Sequence, residues 1–168
     1  MLKKIIIFLF ILSFIFIINN NSENIMIPEE SIRFRIIANS NSFQDQLQKN
    51  TIKEELKNNI IPKIETATNI QNSRNIINQS LKDIEDTLNK YDIKYNIDFG
   101  NNYFPSKQYK GITYKEGDYE SLVITLGEGI GNNYWCVLYP PLCMIEDTHD
   151  TQIEYKSLVK EIITQYKP

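Results

Sequence analysis

The sequence predicts an α+β fold: a mainly antiparallel sheet of about four strands with two to three helices packed on one face, after an N-terminal apolar leader. Two periodicities predict it. Apolar residues recur at every second position around 32–38, 93–99 and 122–126, as half-buried strands require, and the apolar run 134–139, ended by Pro140-Pro141, reads as a strand that enters the core. Apolar residues recur at three- and four-residue steps through 43–61, 73–90 and 152–166, as amphipathic helices require. The resulting order is β-α-α-β-β-β-α. A chain of 168 residues has room for one domain with an adequate core, here residues 25–168 after a leader at 1–24.

Lys3 and Lys4 precede an apolar run of 14 residues, Ile5 to Ile18, broken only by Ser13. That is the pattern of a secretory signal. As a helix at ~1.5 Å per residue the run would span ~21 Å, short of the ~30 Å of a bilayer's hydrocarbon layer. No Ala-x-Ala site follows, so the leader is either a cleaved signal peptide or a retained anchor. In both cases the rest of the chain is expected outside the cytoplasm, meeting the membrane only through its N-terminal segment.

Ile32, Phe34 and Ile36 then alternate with Arg33 and Arg35. Asn39-Ser40-Asn41-Ser42 is turn chemistry, with Ser42 placed to cap a helix that carries Asp45 in its first turn. Ile52, Leu56 and Ile60 line the buried side of that helix, and Pro62 ends or kinks it. Ile77, Leu81, Ile84 and Leu88 define the second helix. Ile93, Tyr95, Ile97 and Phe99 form a strand closed by Gly100. Leu122, Ile124 and Leu126 form the next, and the glycine-rich 127–131 segment reads as a hairpin connection into the strand Tyr134–Tyr139. Tyr155, Leu158, Ile162 and Tyr166 mark the last helix.

The chain is mildly acidic, with a net charge of -3, and lacks the clustered Lys and Arg that nucleic acid demands against its phosphates. Catalysis would have to be built from one histidine and two cysteines. His149 sits in a polar loop, where a solvated side chain explains it better than a dyad with Cys143. Gly127-x-Gly129-x-Gly131 is followed by a strand pattern rather than the helix N-terminus that holds phosphate. No paired Cys-x-x-Cys or His-x-x-His spacing provides a metal site, and no cofactor motif is present. Pro140-Pro141 between the cysteines could reverse the chain enough for a Cys136–Cys143 disulfide, while two separately buried thiols fit equally well.

Three ordered stretches resemble the stage II sporulation protein R family. Ile32-Arg33-Phe34-Arg35-Ile36-Ile37-Ala38-Asn39-Ser40-Asn41-Ser42, with Asp45-Gln46 after it, is similar to that family's opening motif. Gly127-Glu128-Gly129-Ile130-Gly131-Asn132-Asn133-Tyr134-Trp135-Cys136-Val137-Leu138-Tyr139-Pro140-Pro141-Leu142-Cys143 is similar to its C-terminal signature. Tyr114-x-x-Gly117-x-Tyr119-x-x-Leu122 lies between them at the family's spacing. Lys115-Glu116, Val123 and Tyr134 depart from the pattern, which leaves the expected fold intact but gives no standard contact surface to carry over.

The resemblance implies a non-enzymatic signal, made in the forespore and exported across its membrane. Its partner would be a membrane-embedded peptidase that processes the sigma-E precursor in the mother cell. A cysteine-dependent envelope hydrolase and a generic envelope interaction domain are the alternatives. Arg33 and Arg35 project to the side opposite Ile32, Phe34 and Ile36, so they are expected at a surface, where truncation costs within ~0.5 kcal/mol. With the motif positions they give the candidate partner-binding residues: Arg33, Arg35, Asn39, Ser40, Tyr119, Trp135, Pro140 and Pro141.

Overall fold

Ile32–Ile37 (β2) is an inner strand of the main sheet, with both of its edges paired. In the computed structural model, which describes residues 25–109, 112–145 and 152–166, it lies parallel to Gly117–Leu126 (β6) and antiparallel to Asn133–Tyr139 (β7). Tyr95–Phe104 (β3) pairs antiparallel with β6, giving a four-stranded sheet of order β3-β6-β2-β7. The leader and His149 lie outside the described residues. Among the described residues, no helix is long and apolar enough to cross a membrane.

One face of this sheet carries the main core. Ile32, Phe34 and Ile36 of β2, Leu122, Ile124 and Leu126 of β6, and Cys136 and Leu138 of β7 meet Ile52, Leu56, Ile77 and Ile84 from the helices. Helix α1 (Phe43–Asn59) starts where Ser42 Oγ accepts the Asp45 amide at 3.2 Å. It stops before Pro62, which opens a short second helix, α2 (Ile61–Ile64), in a first turn that needs no donor from it. Helix α3 (Ile70–Leu88) begins three residues before the predicted Ser73, because Asn69 Oδ1 accepts the Asn72 amide at 2.8 Å and caps it. Arg74 of α3 clamps Glu120 of β6 through two 2.8 Å bonds, locking this helix to the sheet.

The other face is also covered. Short strands β1 (Ile25–Met26), β4 (Lys107–Tyr109) and β5 (Ile112–Tyr114) form a second sheet of order β1-β5-β4. Helix α4 (Gln152–Gln165) buries Tyr155, Val159 and Ile163 with Ile27, Ile112, Tyr114, Leu142 and Val137. Val137 alternates with Cys136 and Leu138, so this second cluster lies across the sheet from α1, α2 and α3.

Two expected connections differ. Gly100 does not end its strand: β3 runs ten residues, with Gly100 opposite Ser121 in an unbroken register from Tyr95↔Leu126 to Phe104↔Gly117. Pairing along a long neighbour outweighs the weakness of one interior glycine. The glycine-rich 127–131 segment is not a hairpin either, because β2 lies between β6 and β7 and the connection must pass over the end of β2.

Candidate functional site

Arg33 is 1% exposed, contrary to the expectation that it lies off the core on an open face. The alternation does place it opposite Phe34, but β5 covers that side. Its guanidinium carbon lies 3.3 Å from the Tyr119 ring centroid, 5.3 Å from that of Phe104 and 5.9 Å from that of Tyr114. Nη1 donates to the Lys115 carbonyl at 3.4 Å, while the buried Nε and Nη2 have no hydrogen-bond partner.

Arg35 is half-buried on the same side, 4.7 Å from the Phe104 centroid. Its Nη1 donates to the Tyr103 carbonyl at 3.4 Å, and its Nε is buried and unpartnered. Burial lowers the pKa of both groups, opposed at Arg33 by Tyr119 and Tyr114. Both stay charged, since guanidinium starts so far above neutrality. Neither arginine makes an ion pair among the described residues.

Trp135, the cross-strand neighbour of Arg35, meets Phe104 edge to face at 5.2 Å. Lys107 Nζ stands 4.8 Å from the Trp135 ring and 5.7 Å from that of Tyr109. The fold thus brings together Arg33, Arg35, Tyr119 and Trp135, and adds Phe104 and Lys107, which sequence reasoning missed. Phe104 and Lys107 come from a stretch with no clean alternation, so nothing local marked them.

Asn39 and Ser40 lie elsewhere, at the end of β2, where the first and last motifs interlock. Asn39 Oδ1 accepts the Glu128 amide at 2.9 Å, and Asn41 Oδ1 accepts the Asn132 amide at 2.7 Å. The Ile130 and Gly131 amides donate to the carbonyls of Asn39 and Ala38 at 3.2 and 2.9 Å. Asn39 Nδ2 donates to Asp45 Oδ2 at 3.0 Å, and Ser40 Oγ donates to the same oxygen. These bonds, with Ser40 the largest cause, hold the Asp45 carboxyl below its ordinary pKa.

Gln46 Nε2 donates to the Ser40 carbonyl at 2.9 Å. Lys49, buried and with its pKa lowered chiefly by that burial, joins α1 to the loop by donating to Gln46 Oε1 at 2.8 Å and the Asn132 carbonyl at 3.2 Å. Around this knot three large apolar side chains stand in solvent: Phe43 at 82%, Leu47 at 55% and Ile130 at 74% exposed. Phe43 precedes Ile52 by nine positions, half a turn from the buried stripe at 3.6 residues per turn, so the sequence did carry that signal.

Pro140 and Pro141 are at the opposite end of the sheet. They form the turn between Cys136 and Cys143, which are disulfide-bonded with Cα atoms 5.2 Å apart. Neither sulfur is a free thiol, so the nucleophile of a cysteine hydrolase would first require reduction. Pro140 also lines an open cleft of about 980 Å³ with Pro28, Ala67, Ile70, Tyr139 and Tyr166. Beside the turn, Glu65 accepts the Met144 amide at 3.3 Å, and burial raises its pKa. The candidate residues therefore fall into three places rather than one.

The comparisons with known proteins agree with the motif pattern. The family model for stage II sporulation protein R matches residues 28–149. The chain is 40% identical over 133 residues to stage II sporulation protein R of Bacillus subtilis (strain 168), covering 74% of this chain and 59% of that protein. The match therefore spans about three fifths of the relative's length. No solved structure matches. With its interlocked motifs inside the matched span, this chain belongs to the stage II sporulation protein R family.

Proposed function

We propose that this chain is an exported sporulation signal that activates a membrane-embedded aspartic peptidase by binding it, leading to cleavage of the sigma-E precursor in the mother cell. Family membership supports the sporulation role, and the activation step is what the resemblance implies. The observation that carries a binding role is the knot at the end of β2. Two distant motifs spend their polar groups on each other and hold a loop and a helix start rigid. Phe43, Leu47 and Ile130 are left exposed on the segments that the knot joins, and apolar side chains gathered in one exposed patch mark an interaction surface. Preorganisation of this kind lowers the ordering cost of binding. The ligand would act by binding the active conformation of the peptidase more tightly than the resting one.

Co-expression of the full chain with its cognate peptidase and the sigma-E precursor tests this. Processing is expected with the wild type. It should be lost in Phe43→Asp/Leu47→Asp at matched protein level and unchanged fold. A chain lacking residues 1–24 should fold but fail to trigger processing from the producing cytoplasm. No processing with the full chain would overturn the reading, and processing by the surface variant would move the contact away from the knot.

A further inference from the structure

We infer that the arginine–aromatic cluster on the second face of the main sheet is a docking site for an acidic, carboxylate-bearing segment of a partner protein. The site is distinct from the knot, and the inference does not depend on which protein the partner is.

Charge carries it first. The chain holds 21 acidic and 18 basic side chains, so cations here have carboxylates to choose from. Arg74 takes Glu120, Lys63 takes Asp83 and Lys90 takes Glu55. Arg33, Arg35 and Lys107 take none among the described residues, and all three stand against one group of rings instead. Both guanidinium groups share Phe104, the ring that also meets Trp135.

The second observation is unmet hydrogen bonding. Arg33 Nε, Arg33 Nη2 and Arg35 Nε are buried donors without acceptors. A charged donor left unsatisfied in a low-dielectric site costs more than a neutral one, and a carboxylate is the acceptor that suits a guanidinium edge best. The rings hold the cations by their negative faces, and beyond the Nη1 bonds to the Lys115 and Tyr103 carbonyls these three N–H groups stay unused. Arg33 sits behind and adds field, while half-buried Arg35, Trp135 and Lys107 form the reachable edge. Arg, Trp and Tyr are also the residue types that dominate binding hot spots.

The cluster contains the only tryptophan, which makes it self-reporting. Full-length protein in neutral detergent is titrated with a hexaglutamate peptide and, separately, with hexaglutamine, following Trp135 fluorescence and heat by calorimetry. Saturable binding of hexaglutamate, weakened by salt and absent with hexaglutamine, is expected. Arg35→Gln and Lys107→Gln should each weaken it by about tenfold or more, with the thermal midpoint nearly unchanged. Arg74→Gln, on the helix side of the sheet, should bind as wild type does. No binding of hexaglutamate, equal binding of hexaglutamine, or equal affinity in Arg35→Gln and Lys107→Gln would overturn the site. So would an Arg35-dependent response to anionic lipid vesicles with none to hexaglutamate, which would reassign the cluster to a membrane.

Discussion

Asn39 occupies the space that a side chain at Gly127 would need: a Cβ there would lie 2.7 Å from Asn39 Cγ, at a backbone φ of +55°. Gly127→Ala combines a left-handed backbone cost of about 1–2 kcal/mol with displacement of a side chain that holds the Glu128 amide. We expect a loss of about 2–4 kcal/mol by urea unfolding. In the Asn39→Ala/Gly127→Ala double variant the loss should be smaller than the sum of the singles, since one clash is shared. Strict additivity would mean that the two residues do not contend for one space.

Arg33 and Arg35 should differ sharply despite their shared face. Arg33→Ala empties a fully buried site and is expected to cost about 2–4 kcal/mol. Arg33→Met should recover much of this, because it refills the volume and removes a buried charge without a counter-ion. Arg35→Ala, half-buried, should cost under about 1 kcal/mol. Equal effects in chemical denaturation would show that Arg33 is more open to water than its burial implies.

The Cys136–Cys143 bond closes a loop with a sequence separation of only 7. On the chain-entropy estimate it stabilises by roughly 2–3 kcal/mol, and Cys136→Ala/Cys143→Ala should lose about that much. A ligand role predicts that activity falls only as stability does. Thermal midpoint and precursor processing measured on the same variant decide this. Lost processing at an unchanged midpoint would return the cysteines to a chemical role.

Asp45 and Glu65 should shape acid stability with opposite signs. The folded pKa of Asp45 is lowered, first by Ser40 and then by Asn39, so its contribution is present above the unfolded pKa and lost as pH falls through the folded one. Asp45→Asn should therefore destabilise at neutral pH and matter little in strong acid. The folded pKa of Glu65 is raised, first by burial, so ionisation works against folding once pH climbs above the ordinary carboxylate range. Glu65→Gln keeps an acceptor for the Met144 amide and should gain on the wild type as pH rises toward neutrality. Parallel stability–pH curves for the two variants would contradict both assignments.

Wherever a pattern was long and one-sided, the sequence was legible. Ser42, Ile52, Leu56 and Pro62 announced a helix, its buried side and its end, and Phe34 with Ile36 announced the core face of β2. Strands of two and three residues, such as Ile25–Met26 and Ile112–Tyr114, hold too little alternation to be seen. Missing them hid the layer that buries Arg33. In a strand covered on both sides, alternation says which face a residue takes but not whether that face is wet. The joining of Asn39 and Asn41 to the 127–132 segment was invisible for another reason: each motif reads as an ordinary turn until its partner is known.

The pairing order of β2 also sets a schedule for folding. Both strands that bond to β2 come from the last third of the chain, with Arg33 opposite Ser121 on one side and Val137 on the other. A polypeptide emerging N-terminus first, from a ribosome or through a membrane channel, presents its opening motif long before either neighbour exists. The helices can form locally in the meantime, but high contact order delays the sheet until almost the whole chain has emerged. Such a chain stays threadable until late in its emergence, and truncation before Gly117 should leave β2 with neither of its partner strands.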